Sequence, residues 1–380
     1  MLMSSILMIS VALAAPISAQ TAQSPAITVR EGSVAADPGP RMVILKTATA
    51  TCGGQPAATP IYSEPLTPEI LPSPGRQAVD DETRLAFSID PSGRTRDIRL
   101  EQEMSPAPPI AFVGYDQSED QATLAAWRFP PVAAKDCRLT IARRAVPIAY
   151  APPAAIAQLA VSVGGRHARS AIKTRFERPG DDCATQPALL NASYPDRRKG
   201  STPPGGRSWA MIRWDILPDG RTGNIETLAS SGDDVFEAES RRAVGETRFV
   251  DGAARTGCIA PFSRTGDDLT DTPQPEPTDD VLKDCPADVR ARFTPGRLTY
   301  PEAFRRRGIE GWAIVRYDIA SWGQVGAVSV LEAQPAAAFG TAASQVITSG
   351  RATPGFTGAV RCTDRVIFKM PRDGEEPNTD

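Results

Sequence analysis

The sequence predicts an α+β protein: three tandem two-layer units, each a small antiparallel β-sheet with helices on one face. Three observations lead there. Residues 312–319 (WAIVRYDI) place Ala313, Val315, Tyr317 and Ile319 on one side and Trp312, Ile314, Arg316 and Asp318 on the other. That period of two marks a half-buried strand. Ser321-Trp322-Gly323 interrupts it and residues 325–331 resume an extended apolar run, as a hairpin does. Second, residues 209–216 (WAMIRWDI) repeat the strand, and the same displacement carries Gly220 onto Gly323, Phe236 onto Phe339 and Arg248 onto Arg351. A displacement that stays constant across strand, turn and helix marks two copies of one unit. Third, a more diverged copy precedes them. Leu85, Phe87 and Ile89 stand in for the strand, Pro91-Ser92-Gly93-Arg94 for the turn, and Trp127-Arg128-Phe129-Pro130 for Thr247-Arg248-Phe249-Val250.

The elements follow in chain order. Residues 1–19 read as a secretory signal peptide, with an apolar core from Ile6 to Ala15 and Ile17-Ser18-Ala19 as the cleavage site. The alternative is an uncleaved inner-membrane anchor, although Ser4, Ser5, Ser10 and Pro16 interrupt a run of barely spanning length. Residues 20–40 form a disordered lead-in. Unit 1 covers 41–150, with an extra edge strand near 42–47, a Pro-rich loop at 55–77 and an insertion at 105–117. Residues 151–177 connect it to unit 2, either as a helix or as a strand pair. Unit 2 covers 178–264, and residues 265–280 (TGDDLTDTPQPEPTDD) are an acidic, Pro-containing linker. Unit 3 covers 281–370. Its second helix starts near Pro335 and brings Phe339, Ala342, Ala343 and Val346 onto one face, as Phe236, Ser240 and Ala243 do in unit 2. Residues 371–380 are a disordered tail.

The six cysteines keep to the same repeat. Cys52, Cys183 and Cys285 precede the three turn glycines by similar intervals, and Cys137, Cys258 and Cys362 follow the three arginines by similar short ones. Six cysteines allow fifteen pairings; a repeat that closes on itself favours Cys52–Cys137, Cys183–Cys258 and Cys285–Cys362. Export makes such bonds chemically permissible.

Several function classes drop out on inventory. A net charge of −3 and a pI near 5.5 argue against nucleic acid as a partner. One histidine, His167, rules out a multi-histidine zinc site, and the cysteines show no CxxC, so no metal is expected. It also leaves Ser230-Ser231 without a plausible Ser-His partner. Asp181-Asp182 read as a solvated acidic loop. No catalytic residue and no cofactor are expected. Arg213 and Arg316, each followed by an aspartate two residues on, read as the water-facing side of a one-sided sheet. Trp209 and Trp312 share that outer side, where a large aromatic points to a contact with a neighbouring unit or another chain.

These residues resemble the C-terminal domain of the TonB family, the periplasmic end of an energy transducer. Tyr300-Pro301, Ala303, Gly308, Gly311, Val315, Tyr317, Ile319, Gly323 and Val325 carry the resemblance in unit 3. Tyr194-Pro195 and Gly220 carry it in unit 2, and Trp127-Arg128-Phe129-Pro130 in unit 1. The resemblance implies a periplasmic binding or adaptor protein that recognises an extended peptide, from an outer-membrane transporter or another envelope protein, by strand addition. The partner-binding edge it implies is the last strand, Asp364, Arg365, Val366, Ile367, Phe368 and Lys369; homodimerisation through exchanged strands is a further option. The chain departs from the family in its cleavable leader, its lack of a long Pro-Glu/Pro-Lys spacer, its three units and its cysteines. A membrane-anchored transducer subunit is the alternative, and an envelope-processing hydrolase the further one.

Overall fold

The alternating runs of the sequence pair into antiparallel sheets in the computed structural model, which describes residues 42–70, 81–101, 118–162, 169–196, 198–200, 202–270, 272, 285–286, 289, 291–353, 355 and 358–371. The leader and lead-in, the insertion at 105–117, His167, most of the acidic linker and the tail from 372 lie outside these residues. The described residues belong to the compact unit Gly39–Asp380.

The first sheet is built from β1 (Met42–Cys52), β2 (Gln55–Pro56), β3 (Glu69–Ile70), β4 (Asp81–Ile89), β5 (Thr95–Leu100) and, after helix α1 (Ser118–Ala126), β6 (Ala134–Pro147). Its order is β2-β1-β6-β4-β5, with β3 also on β1. The expected short edge strand is therefore a long one, zipped to β6 from Met42↔Pro147 to Cys52↔Cys137. The connector resolves as two helices, α2 (Pro153–Val161) and α3 (Arg169–Phe176). Then come β7 (Leu189–Asn191), β8 (Arg207–Ile216), β9 (Thr222–Ser230), α4 (Asp234–Glu246), β10 (Arg248–Phe249) and β11 (Arg255–Thr265). They form a sheet of order β11-β8-β9 and a small β10-β7 pair. The last segment holds β12 (Phe293–Thr294), α5 (Glu302–Arg305), β13 (Gly311–Ile319), β14 (Val325–Gln334), α6 (Ala337–Thr348), β15 (Arg351–Ala352) and β16 (Ala359–Phe368). Its main sheet has the order β14-β13-β16.

One local device recurs in all three regions. Gly93, Gly220 and Gly323 sit at φ +83°, +71° and +88°, a left-handed conformation that glycine adopts without strain. Their carbonyls accept the N–H of Phe129 (2.9 Å), Phe249 (2.8 Å) and Ala352 (3.0 Å). A Cβ at any of them would meet the facing carbonyl oxygen at about 2.0–2.1 Å. Beside each contact an arginine closes the preceding helix. Arg128 donates to the carbonyls of Ala125, Ala126 and Trp127, Arg248 to Gly245 and Thr247, and Arg351 to Gly350. A cation there meets the otherwise unpaired carbonyls of a helix C-terminus. Disulfides join Cys52 to Cys137, Cys183 to Cys258 and Cys285 to Cys362.

The cores do not follow the three predicted units one to one. Leu85, Phe87 and Leu139 of the first sheet share a single cluster with Val315, Phe339 and Phe368 of the last. The link is β5, whose Ile98 N–H donates to Pro335 O at 2.9 Å. The middle sheet has its own cluster under α4, around Ile212, Trp214 and Phe236. Its other face is not solvated, as expected, but covered by α2 and α3. Trp209, expected outside the core, is 5% exposed and packs with Ile156, Leu159 and Met211. Trp312 is likewise buried. Arg213 is buried too, held by Asp181 and by Phe176 O, so Asp181 is no free acidic loop residue. The hydrogen bond from Arg213 is the main reason that its carboxyl lies below the usual range. The described start of the linker is docked as well: Leu269 is buried and bridges Ile309.

Candidate functional site: the outer strand of the last sheet

β16 lies at the edge of its sheet, with β13 as its one ladder neighbour among the described residues. An edge strand presents a row of backbone N–H and C=O groups that can pair with another chain. Strand periodicity divides the six candidate residues into two sets. Asp364, Val366 and Phe368 face inward. Phe368 is fully buried against Tyr300 and Phe339, with ring centroids 5.6 and 5.2 Å away. Val366 packs on the same cluster, and Asp364 accepts a hydrogen bond from the Tyr317 hydroxyl. Phe368 thus serves the core, while Asp364 and Val366 are half-buried. Arg365 and Ile367 lie half-buried on the opposite face, while Lys369 is exposed just beyond the strand. A peptide laid along β16 would therefore meet cationic, apolar and cationic side chains at alternate positions.

The anchoring end is well fixed. The Tyr300 hydroxyl donates to Ile309 O at 2.7 Å. Burial first, then Glu310 and Asp268, pushes that hydroxyl above its ordinary range, which keeps it a donor. Met370 N donates to the Glu310 carboxylate at 2.9 Å. Gly308 has φ +64° and room for no Cβ, because Asp268 Oδ1 stands 2.0 Å from where one would be. Gly311 is crowded by Gln334 O and the Phe339 ring. Pro301 directly precedes α5. Tyr194, by contrast, is 74% exposed; its side chain does not do what Tyr300 does, and beside it Pro195 is half-buried. Trp127 donates to Glu64 O, Phe129 is buried, and Pro130 is half-buried.

The opposite edge of the sheet is less accessible as a template. Gln334, at the end of β14, is bonded to Asp97, and Pro335 to Ile98. Ala327 at φ +49° and two register shifts break the β14 ladder, and such bulges blunt an edge.

One set of residues escaped sequence reasoning altogether. Arg307 is 0% exposed and pairs with Glu64 and Glu119, the latter at 3.1 Å. It also donates to Thr123 Oγ1 at 2.7 Å and Gly205 O at 3.3 Å. Arg207 (2.9 Å) and Arg306 (2.8 Å) bind the same Glu119. Glu64 and Glu119 belong to the first region, Arg207 to β8, and Arg306 and Arg307 follow α5, so this charge cluster joins all three. The run Arg305-Arg306-Arg307 was the only signal in the sequence, and nothing local marks which of three adjacent arginines will be buried. A Ser-x-x-Lys spacing also occurs, at Ser170 and Lys173 on α3, but Lys173 Nζ is turned to Cys183 O at 3.0 Å. No cluster of His, Cys, Asp and Glu suited to a metal ion is found among the described residues.

Comparison with known proteins bears on the same sheet. Residues 296–370 match the family described as Gram-negative bacterial TonB protein C-terminal. No curated protein matches the chain. Among solved structures, the Pseudomonas aeruginosa TonB C-terminal domain is 28% identical over 22% of this chain and 90% of its own, with a TM-score of 0.19. The TonB2 protein of Vibrio anguillarum is 16% identical over 23% of this chain and 89% of its own, with a TM-score of 0.16. By the family match, the segment that carries β13, β14, α6 and β16 resembles the C-terminal domain of Gram-negative bacterial TonB proteins.

Proposed function

We propose that the protein is an exported, periplasmic adaptor that captures an extended segment of another envelope protein as an added strand beside β16. The observation that carries this reading is an edge strand with a single ladder neighbour among the described residues, within the segment matched to the TonB C-terminal family. Backbone pairing supplies affinity and alternate side chains supply selectivity. Arg365, Ile367 and Lys369 select a segment with acidic, apolar and acidic residues at alternate positions. Three disulfides support an oxidising compartment. Among the described residues no helix is long and apolar enough to cross a membrane. The division into three related units is part of the proposal, supported by the recurrent glycine and arginine contacts.

A fluorescent peptide with glutamate, valine and glutamate at positions i, i+2 and i+4 and serine between them should bind with measurable anisotropy change, and its counterpart with lysine for glutamate should not. Arg365→Glu with Lys369→Glu should weaken the glutamate peptide about tenfold, the combined worth of one half-buried and one exposed charge contact. N-methylation of the peptide backbone in one of the two alternate registers should abolish binding. Affinity indifferent to N-methylation would rule out strand addition, and no preference between the peptides would rule out the side-chain assignment.

A further inference from the structure

α3 covers the middle sheet through Ile172 and Phe176 but leaves a groove beside it. Between α2, α3 and the outer face of β8 and β11 lies a cavity of about 440 Å³, within the roughly 300–1,000 Å³ range of small-molecule sites. Its wall is apolar: Val161, Ile172, Phe176, Met211 and Ile259 all belong to one hydrophobic cluster. None of its lining residues is acidic, and two are cationic, Arg169 and Lys173. α3 itself contains Arg169, Lys173 and Arg175 and no acidic residue, in a chain whose net charge is −3. Lys173 donates to Cys183 O at 3.0 Å and keeps a loose contact of 3.9 Å to Glu177. Arg169 is exposed and pairs with no carboxylate among the described residues.

An apolar trough with a cationic rim has one natural complement, a hydrocarbon chain ending in an anion. We propose that this cleft binds a long-chain carboxylate, its alkyl chain along Ile172, Phe176, Met211 and Ile259 and its carboxylate at Arg169 and Lys173. The cavity lies on the middle sheet, away from β16, and does not depend on strand capture. Burying the chain removes apolar surface from water on both partners, while the two cations select charge and orientation. The same arguments disfavour a cationic amphiphile, which would have to place its head beside Arg169 and Lys173.

Isothermal titration of the full mature chain with dodecanoate below its micellar concentration should give one saturable site. Dodecyltrimethylammonium, with the same chain and opposite charge, should bind at least about tenfold more weakly. Arg169→Glu with Lys173→Glu should lose about tenfold in dodecanoate affinity by the same reasoning. Ala160→Trp, at a half-buried position on the cavity wall, should abolish binding, with the melting temperature and far-UV circular dichroism checked against wild type. The charge-reversal pair keeps the test open if that variant misfolds. Equal affinity for the two amphiphiles, or full dodecanoate binding by folded Ala160→Trp, would overturn the proposal. So would binding to anionic phosphatidylglycerol vesicles without binding to monomeric dodecanoate, which would make the face a membrane-contact surface.

Discussion

Arg307→Ala is expected to destabilise the fold by about 3–5 kcal/mol, the usual penalty for removing one partner of a buried ion pair. The size follows from what is left behind. Arg307 is fully buried and its guanidinium faces Glu64 and Glu119. Without it, Glu64 retains the Tyr62 hydroxyl and Arg207 N–H, and Glu119 retains Arg207 and Arg306, but the deepest positive charge is gone. Denaturant unfolding of wild type and variant measures the loss. A double variant with Glu119→Gln should recover part of it, because a neutral amide needs no cation. A loss below about 1 kcal/mol would show that solvent reaches the cluster, since exposed pairs are worth no more than that.

The same cluster makes stability depend on acid. Burial alone would raise the Glu119 carboxyl, but Arg307, Arg207 and Arg306 outweigh it and hold the group at about 2, against an ordinary 4.5. A carboxylate depressed in the folded state stabilises above its unfolded value, and that contribution disappears as the pH falls through the folded one. It amounts to about 3 kcal/mol, lost between roughly pH 4.5 and 2. Urea titrations across that window should show the decline, and Glu119→Gln should flatten it. A slope that is unchanged in the variant would assign the acid sensitivity to other carboxylates.

Replacing Cys285 and Cys362 together by alanine is the second large expected effect, a loss of about 2–4 kcal/mol. The bond closes a loop of sequence separation 77, for which the chain-entropy model gives about 4 kcal/mol before any relaxation of the native state. Cys362 lies on β16, paired across from Tyr317 and fully buried, so the loss should be local as well as global. Amide exchange in 362–368 should quicken more than in the middle sheet, which has its own bond at Cys183–Cys258. Uniform acceleration across both sheets would show instead that the bond acts only on the unfolded chain.

How much of this was legible in the sequence differs from one face of a strand to the other. Ala313, Val315, Tyr317 and Ile319 read as a buried face, and all four are buried. The helix faces around Phe339 and Phe236 read equally well. Trp209 and Arg213 read as outward and are not exposed, because the connector folds into α2 and α3 and covers that side. The candidate edge was visible only as a run of six residues. Which of them the core takes up depended on the Tyr300, Phe339 and Phe368 packing and on Tyr317 reaching Asp364.

What the sequence determined by itself is local: strand and helix periodicity, the glycines that turn the chain, and the TonB-like signature at its end. Those follow from backbone geometry, which each short stretch carries within itself. Only the tertiary structure decided that the first and last sheets share a core, that the middle sheet is covered on both faces, and that Arg307 meets Glu64 and Glu119. Burial and ion pairing depend on which distant surfaces exclude water together, and no local period records that.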